Sequence, residues 1–516
     1  MISRWSLAAA IVSLTAMTAT SAAEPAVLYG RHCAACHGAE RLGATGPALL
    51  PESLERLKRA DAVKTISAGR IATQMPGFAD KLSAEEIESL AAHLYMPLGK
   101  TLSWGLDDIR ASRIQHVDPA ALPARPVFDV DPLNLFVVVE TGDHHATILD
   151  GDRFEALKRF PTRYALHGGP KFSPDGRFVH FVSRDGWVSK FDLWSLQIVA
   201  EVRAGLNTRN LAASSDGRYL AVGNTLPHSL VILDARDLHP VKVLTVSDTK
   251  GQGSRVSAVY DAAPRKSFVV ALKDAAEIWE VSYDDHAAPI YEGLVHDYQL
   301  GEGIAMEGKL NPRRTILEEP LDDFFFDQSY AWLIGASRKG GSGQVVNLDV
   351  RRKTASVELP GLPHLASGIS WERDGQTLLA TPNLREAMVS VIDMKNWKVV
   401  KQIPTNGPGF FLRSHEMTPY AWVDGMNGPS RDTLQVIDKR TLEVVKDITP
   451  APGKTAAHVE FTRDGRYALA SVWDMDGALV IYDARTLEEV KRLPMKKPSG
   501  KYNVHNKITR SSGTSH

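Results

Sequence analysis

The sequence predicts two regions, a small all-α domain at the N-terminus and an all-β propeller of eight blades in the rest of the chain. Three observations support this fold class. Both cysteines fall in one pentapeptide, at positions 33 and 36. Helical periodicity continues to about residue 98, and strand-like runs take over from residue 126. A turn motif then returns eight times at intervals that mostly lie in the forties, and such a period is typical of a propeller.

Charge and composition indicate a folded globular protein. The 60 basic and 61 acidic residues leave a formal net charge of −1. If a leader containing Arg4 is removed, the mature chain has a charge near −2, which is −1 minus the one charge of Arg4. Nucleic-acid binders normally have a basic excess, so the near-neutral charge argues against this class. The 8% of aromatic and 23% of charged residues are ordinary for globular proteins and argue against disorder.

Residues 1–23 have the features of a signal peptide. Arg4 supplies the positive start, and the apolar stretch from Leu7 to Met17 is too short to span a bilayer. Small residues end the segment before Glu24, where cleavage is expected. The alternative is an uncleaved membrane anchor. No other segment has the roughly 18 uninterrupted apolar residues of a membrane span, so we expect a periplasmic protein whose mature form has no transmembrane segment.

The pentapeptide Cys33-Ala34-Ala35-Cys36-His37 is the C-x-x-C-H signature of covalent haem c attachment. Two thiols one helical turn apart can bond the two vinyl groups, and His37 can coordinate the iron. Met75 is placed as the sixth ligand is in small class I cytochromes c; packing on the haem edge is the alternative. Ser83 then begins a helix with a capping box. Residues 24–98 are therefore predicted to be an all-α class I cytochrome c domain.

Residues 126–516 are predicted to form the eight-bladed propeller, after a linker over residues 99–125. The clearest copies of the turn read Asp-Gly-Arg and then an aromatic residue, and a β-rich run follows. The eight copies begin at residues 131, 175, 216, 264, 327, 374, 418 and 464. A second motif, Val/Ile-x-Asp before a turn, follows at the same interval. The long interval of 63 residues predicts an insertion around residues 282–321, as a loop on one face.

Two segments resemble a known family. The run Tyr164-Ala165-Leu166-His167 and the C-terminal run over residues 498–506 are similar to the haem d1 domain of the cytochrome cd1 nitrite reductases. The resemblance covers nearly the whole mature chain and implies that the propeller binds haem d1. Propellers that bind pyrroloquinoline quinone match less well. They place a disulfide of adjacent cysteines against the quinone, and this chain has no cysteine left for one.

The predicted pocket departs from that of the reductases. Their two distal histidines, which bind and protonate nitrite, should fall near Tyr260 and near Phe324-Phe325-Phe326, where this sequence has no histidine. The stretches 411–416 and 455–461 are similar instead to the dihydro-haem d1 dehydrogenases of haem d1 biosynthesis. That similarity implies an oxidoreductase that converts the propionate of its substrate, dihydro-haem d1, to the acrylate of haem d1 and passes the electrons to haem c.

Two histidines are predicted to coordinate the haem d1 iron. His167 matches the family's proximal position, and a neutral imidazole suits iron. His364 lies in a similar loop before a later blade, from which it could reach the other face of the macrocycle; a structural loop histidine is the alternative. Because haem d1 is rich in carboxylates, we expect arginines in the pocket. The candidates for binding haem c or haem d1 are Cys33, Cys36, Arg163, Arg184, Arg209, Arg255, Tyr502 and Asn503.

Dehydrogenation beside a carboxylate needs a base, and histidine suits that task near neutral pH. His458 enters the strand of the last blade at a position like those of His167 and His364. It is therefore predicted to face the central pocket as the catalytic base. The alternative is that His458 hydrogen-bonds a haem d1 carboxylate without moving a proton. His415, one blade earlier, is the rival for the role of base.

Two other functions stay open on the sequence alone. The protein could carry haem d1 to the reductase without any chemistry, or it could be a nitrite reductase with an unusual pocket. For an enzyme or a carrier, a cytochrome cd1 nitrite reductase is the expected recipient of haem d1. An enzyme also needs a periplasmic electron acceptor, as yet unidentified, that reoxidises haem c.

Overall fold

The computed structural model describes residues 24–44, 46–54, 57–69, 75–99, 102–291, 305–337 and 339–509. The predicted signal peptide, residues 1–23, lies outside these ranges. Within them, no helix has both the length and the apolar character that a membrane crossing requires. The chain forms a helical N-terminal region followed by an eight-bladed β-propeller, so the predicted fold class is confirmed.

Within the described ranges, five helices make up the N-terminal region. They are α1 Pro25–His32, α2 Ala34–His37, α3 Pro51–Leu54, α4 Arg59–Ala68 and α5 Ala84–Leu94. Helix α5 begins with the predicted capping box, in which Ser83 Oγ accepts from the Glu86 N–H and the Ser83 N–H donates to the Glu86 carboxylate. Its apolar face, which includes Leu90, packs against Leu28 of α1. This packing gives the region its own core.

The rest of the described chain is almost entirely β. Its two further helices are α6 Leu106–Ala111 and α7 Val504–Thr509. The strands in chain order are β1 Ile114–Gln115, β2 Leu135–Glu140, β3 His145–Asp150, β4 Ala156–Pro161, β5 Lys171–Phe172, β6 Phe178–Val182, β7 Trp187–Asp192, β8 Gln197–Arg203, β9 Asn207–Ala213, β10 Tyr219–Leu226, β11 Ser229–Asp234, β12 Pro240–Thr245, β13 Val256–Ala262, β14 Ser267–Leu272, β15 Glu277–Ser282, β16 Ile290–Tyr291, β17 Ala305–Met306, β18 Pro312–Ile316, β19 Asp323–Phe326, β20 Trp332–Ala336, β21 Gly341–Asn347, β22 Arg352–Leu359, β23 Ile369–Arg373, β24 Gln376–Pro382, β25 Met388–Asp393, β26 Lys398–Pro404, β27 Leu412–Ser414, β28 Tyr420–Asp424, β29 Leu434–Asp438, β30 Glu443–Ile448, β31 Ala456–Phe461, β32 Tyr467–Val472, β33 Gly477–Asp483, β34 Glu489–Met495 and β35 Pro498–Asn503.

These strands make eight antiparallel blades. Blade 1 combines β2, β3 and β4 with the C-terminal strand β35, whose pairing with β2 closes the ring. Blades 2 and 3 are β5–β8 and β9–β12, and blade 4 is β13, β14, β15 and β18. Blades 5 to 8 are β19–β22, β23–β26, β27–β30 and β31–β34. In blades 2 to 8 the predicted turns join the first and second strands, and in blade 1 the turn at residue 131 leads into β2, because the innermost strand β35 comes from the C-terminus. The repeat therefore identified the inner hairpin of seven blades.

Apolar faces of neighbouring blades form the core between the sheets. Between blades 3 and 4, for example, Ile232 packs in one cluster with Phe268 and Trp279, and all three are almost completely buried. Burial on both faces explains why strands near the centre read as continuous apolar runs, whereas outer strands such as β26 are largely exposed and contain lysines.

The structure differs from the sequence prediction in two connecting segments. The insertion in blade 4 is more than a loop: it contains the two-stranded β16–β17 sheet, and Pro312–Ile316 is the outer strand of the blade itself. The predicted linker, residues 99–125, contains α6 and strand β1, which pairs with β8 as a fifth strand of blade 2. Two-residue strands such as β1, β16 and β17 have too few side chains to produce a periodic pattern, so they could not be predicted.

Candidate functional site

The haem-attachment motif lies where α1 passes into α2. The Cys33 N–H donates to the Tyr29 carbonyl at the end of α1, and Cys36 stands one turn further on in α2. The His37 ring is held by a hydrogen bond of 2.8 Å between Nδ1 and the Pro47 carbonyl. A Cβ at Gly46 would lie 2.7 Å from the ring, so only glycine fits beside it. These residues suit a covalent haem, with Nε2 of His37 left as the iron ligand.

Met75, the predicted sixth ligand, packs in the same apolar cluster as Cys33. The described side chains on that side of the cluster, such as Phe78 and Leu82, are apolar and buried. A thioether in such surroundings is a soft iron ligand. The arrangement is compatible with the predicted His37 and Met75 pair, which stays a prediction.

A cavity of about 800 Å³ lies at the centre of the propeller, and every blade contributes to its wall. The wall is polar and basic near blades 2 and 3 and aromatic near blades 5 and 7. Lining residues from the eight blades in turn include Tyr502, His167, Arg209, Tyr260, Phe325, His364, Phe411 and Trp473. Pockets of this size with a few polar groups are the usual sites for cofactor-sized ligands.

His167 and His364 are held in the same way on opposite sides of this cavity. Each stands in the loop before the first strand of its blade, blade 2 for His167 and blade 6 for His364, and these blades face each other across the ring. Nδ1 of His167 bonds the Arg209 carbonyl at 2.7 Å, and Nδ1 of His364 bonds the Phe410 carbonyl at 2.7 Å. Each Nδ1 is thus the donor, which leaves the lone pair on Nε2.

The surroundings of His364 keep its ring neutral. Burial lowers the pKa of His364 to about 4. The carboxylate of Asp323 lies 3.7 Å from its Nε2, and burial raises the pKa of that carboxyl to about 7. A neutral imidazole is the form that binds iron. Two such rings facing one another could hold a metal macrocycle by both faces.

Of the four predicted arginines, two lie in the cavity wall and two do not. Arg184 and Arg209 line it, with guanidinium nitrogens 2.8 and 3.3 Å from Nε2 of His167. Arg163 is turned away by a two-pronged pair with Glu201, and Arg255 by one with Asp274. The predicted roles of Arg163 and Arg255 in the wall are therefore wrong. A bidentate carboxylate satisfies each guanidinium outside the cavity.

Of the two residues predicted on the closing strand, again only one lies in the cavity wall. Tyr502 lines the cavity, but Asn503 points into the blade, where its Nδ2 donates to Asn134 at 3.0 Å. Successive strand residues face opposite sides, so only one of them can reach the centre. His415 also lies outside the wall: it is buried near Phe461, and its Nδ1 accepts from the Met417 N–H at 3.1 Å. The assignments of Asn503 and His415 to the site are corrected accordingly.

His458, which was predicted to face the central pocket, is instead buried directly behind its wall. Its ring packs edge-on against Phe411 and Tyr502, with centroid distances of 4.7 and 5.3 Å, and both of these rings line the cavity. His458 is the bulged residue of β31, between Ala457 and Val459, with a φ of +47°. Bulges and left-handed residues of this kind are concentrated near active sites, where they redirect a side chain.

The imidazole of His458 is neutral and has both ring nitrogens available. Neither nitrogen has a hydrogen-bond partner among the described residues, although the residue is only 1% exposed. Burial, reinforced by Lys501 and Arg413, holds the pKa of His458 well below its ordinary value. The ring differs in this from His167 and His364, which are both tied to a carbonyl.

Sequence reasoning missed a cluster of buried charges around His458. Arg413 and Lys507 line the cavity, and Lys501 lies beneath them with Nζ 2.7 Å from Ser471 Oγ. Glu460, 3.7 Å from Lys507 Nζ, and Asp424 are the nearby carboxylates. Burial lowers the pKa of Lys507 to about 8 and raises that of Asp424 to about 6. The signal was a charged residue inside an inner strand of a blade, as Arg413 is in β27.

The cluster has more basic than acidic groups beside a large cavity. Burying an excess of positive charge is costly unless an anion balances it. The arrangement therefore suits a ligand that brings carboxylates to this side of the cavity, close to His458. Across the cavity, Arg184 and Arg209 offer a second site for carboxylates.

Comparison with known families and structures agrees with this geometry. The family model described as "Cytochrome D1 heme domain" matches residues 130–299 and 304–507. The model "Cytochrome C oxidase, cbb3-type, subunit III" matches residues 20–94. The chain is 57% identical over 503 residues to the dihydro-heme d1 dehydrogenase of Pseudomonas aeruginosa, with 98% of each chain covered. It is 26% identical to a nitrite reductase of Stutzerimonas stutzeri, with 97% of this chain and 95% of the reductase covered.

A solved structure, "Dihydro-heme d1 dehydrogenase NirN in complex with DHE", superposes with a TM-score of 0.87 at 57% identity. The match covers 94% of this chain and all of that one. The propeller with its two facing histidines, the haem-attachment motif and these matches lead to one conclusion. The chain belongs to the cytochrome d1 haem domain family and, within it, groups with the dihydro-haem d1 dehydrogenases.

Proposed function

We propose that this protein is a dihydro-haem d1 dehydrogenase, an oxidoreductase of haem d1 biosynthesis that converts a propionate side chain to acrylate. The observation that supports it most is the contrast in the central cavity. His167 and His364 keep the Nε2 lone pair on opposite blades, with the Arg184 and Arg209 guanidiniums on Nε2 of His167. The neutral His458 lies behind the wall, and neither of its ring nitrogens is hydrogen-bonded within the described residues. The family membership and the 57% identical dehydrogenase support the same reaction.

In this proposal His167 and His364 hold the substrate by its iron. Because both faces of the iron are occupied, nitrite has no open coordination position. The two positions at which a reductase has distal histidines hold Tyr260 and the run of phenylalanines from Phe324, and Tyr260 packs edge-on against Phe324. The pocket thus has no histidine there to protonate nitrite. We expect negligible nitrite turnover.

The charged clusters orient the macrocycle. Arg184 and Arg209 bind carboxylates on the side of blades 2 and 3, and Arg413 with Lys507 binds them on the side of blade 7. The side chain to be dehydrogenated then lies near Phe411 and Tyr502, in front of His458. Burial raises the pKa of Tyr502 to about 12, so the phenol stays protonated.

The reaction removes two electrons and two protons from adjacent carbons of the propionate. His458, whose imidazole is neutral, accepts one of these protons, and the other is released to water. Its fixed place in the β31 bulge positions it before the substrate binds. Haem c, when bound at Cys33 and Cys36, supplies an acceptor that takes one electron at a time.

We further propose that the protein acts in the periplasm after removal of residues 1–23, with cytochrome cd1 nitrite reductase as recipient of the finished haem d1. A leader-like N-terminus and a covalent haem c motif support the location. The 26% identical nitrite reductase shares nearly the full length of the chain, which supports use of the same macrocycle.

The test is to incubate the protein, loaded with haem c, with dihydro-haem d1 and a one-electron oxidant under anaerobic conditions. The macrocycle recovered afterwards should have lost two mass units, the mass of two hydrogens. Recovery of a bound but chemically unchanged macrocycle would reject the dehydrogenase and favour a haem d1 carrier. A protein with Cys33 and Cys36 both changed to Ser is the matched control: it should bind the substrate yet convert none of it.

A further inference from the structure

The haem c region and the propeller meet at a small apolar contact. Ala48 and Leu50 pack there against Leu206 and Leu226 of the propeller. Arg203, the last residue of β8, lies at the same contact and is only 7% exposed. Burying a guanidinium among apolar side chains is costly unless its charge and its N–H groups are satisfied. Its partners therefore indicate its role.

The Arg203 guanidinium joins two main-chain carbonyls from different regions. Nη2 donates to Leu42, in the loop after the haem-attachment motif, and Nε donates to Asp185 in blade 2 at 2.9 Å. The carboxylate of Asp185 also lies close enough to stabilise the positive charge. A Cβ at Gly43 would lie 3.2 Å from Nη2, so the loop leaves room for the guanidinium. The Trp104 ring covers the guanidinium, with its centroid 5.2 Å away.

On the haem c side, the contact leads directly to the iron ligand. Leu42, which accepts from Arg203, is followed by Gly43, whose N–H donates to the His37 carbonyl at 2.8 Å. His37 is the histidine of the attachment motif. One peptide bond and one hydrogen bond therefore separate the Arg203 contact from the residue that binds the haem c iron.

On the propeller side, the contact leads to the other iron ligand. Asp185 follows Arg184, whose N–H donates to the Ala165 carbonyl at 3.1 Å. Ala165 is two residues before His167, whose own N–H donates to the Val182 carbonyl at 2.9 Å. A continuous path of covalent bonds and hydrogen bonds therefore runs from His37 through Arg203 to His167.

We propose that Arg203 is the electron bridge between the haem d1 cavity and haem c. This inference rests on the proposed function. Two electrons leave the substrate together with two protons, and each electron crosses singly by way of His167, Arg203 and His37. Each crossing oxidises the macrocycle by one electron and reduces ferric haem c by one. A one-electron oxidised carrier then regenerates haem c, and no bond to Arg203 forms or breaks.

The test uses the full protein loaded with haem c and with haem d1, the product, so that no dehydrogenation is involved. Haem c is reduced or oxidised by a rapid pulse, and electron exchange with haem d1 is followed by absorbance. Arg203→Gln removes both hydrogen bonds, and Arg203→Lys keeps the charge but cannot bond both carbonyls in the same way. We expect exchange to slow by about tenfold in each, the effect of roughly one charged hydrogen bond on a barrier.

Leu226→Ala is the matched control, because it weakens the apolar contact and leaves both hydrogen bonds in place. The haem c potential and the protease sensitivity of the chain, measured for all variants, report on packing.

The bridge is supported if electron exchange is slow in Arg203→Lys while its haem c potential is unchanged and Leu226→Ala exchanges at nearly the wild-type rate. The bridge is overturned if Arg203→Lys exchanges electrons at the wild-type rate, or if Leu226→Ala slows the exchange as much as Arg203→Lys does. If Arg203→Gln fails to bind haem d1, Arg203→Lys decides. Because haem d1 itself is the ligand, the result stands even if dihydro-haem d1 is not dehydrogenated.

Discussion

His167 and His364 differ from His458 in how the fold holds the imidazole ring. The first two have Nδ1 tied to the main-chain carbonyl of the next blade, at 2.7 Å in both cases. His458 stands on a bulge with a φ of +47°, and neither of its nitrogens has a partner among the described residues. The three histidines thus belong to two kinds of site around one cavity.

The way in which each ring is held determines the chemistry it can do. A ring tied through Nδ1 has a fixed tautomer and a fixed direction for the Nε2 lone pair, as a metal ligand needs. A buried neutral ring with no such tie can take either tautomer and accept a proton at the nitrogen that has no hydrogen, as a base needs. The surrounding cations suit the second role only if an anionic substrate balances them.

The largest effect is expected from His458→Gln. If His458 is the base, conversion of dihydro-haem d1 should fall by about 100-fold or more, while binding is kept. Product mass against time measures conversion, and a spectral titration measures binding. His415→Gln is the matched control, since His415 is also buried but packs on Phe461 rather than on rings that line the cavity. Near-normal conversion by His458→Gln, with loss in His415→Gln, would transfer the role to His415.

The next effect concerns the tied histidines. His167→Ala and His364→Ala, made separately, should each convert the low-spin spectrum of the bound macrocycle to a high-spin one, because one iron ligand is lost. Absorption and electron paramagnetic resonance spectra of the loaded protein measure this. His415→Ala should leave the spectrum unaltered. A variant at 167 or 364 that keeps the wild-type spectrum would remove that residue from the iron.

A smaller effect is expected from the basic cluster. Arg413→Gln should weaken substrate binding by roughly tenfold to a hundredfold in Kd, since a buried hydrogen bond to a charged group contributes about 1.5–3 kcal/mol. Arg163→Gln is the control, because Arg163 pairs with Glu201 outside the cavity. Equal losses in the two variants would show that general charge, rather than contact with the ligand, determines affinity.

The smallest effect is on pH dependence. A base acts in its neutral form, and the pKa of His458 lies well below its ordinary value because of burial and nearby cations. Conversion should therefore stay nearly constant when the pH falls from 7 to 6. A histidine with an unshifted pKa would lose about threefold over that range. Initial rates across these pH values distinguish the two, and a loss of threefold would mean that His458 titrates normally in the complex.

The sequence predicted the parts of this site that depend on local motifs and on the repeat. The attachment motif identified Cys33 and Cys36, and the position of His167 before its blade suggested His364 before another. Contacts between residues far apart in the sequence determine which side of a strand faces the cavity. They also determine which charged side chains form ion pairs outside it. Arg163 meets Glu201 and Arg255 meets Asp274, so both were misplaced. Arg413 was missed for the same reason.

The contact between the haem c region and the propeller also could not be predicted from the sequence. Strand β1 has only two residues, and Arg203 reads as an ordinary strand end until its contact with Leu42 is seen. The blade count, in contrast, followed from the turns alone, because each blade repeats one hairpin.

A single turnover tests the division of roles among the histidines most directly. Protein with oxidised haem c is mixed with one equivalent of dihydro-haem d1 and one equivalent of a one-electron oxidant, which takes the second electron, and both chromophores are followed over time. With His167 and His364 holding the iron while His458 works at the side chain, the bound macrocycle should stay low-spin from binding to product while haem c becomes reduced. A high-spin macrocycle appearing before haem c reduction would contradict this, because it would mean that a histidine leaves the iron for the reaction to proceed.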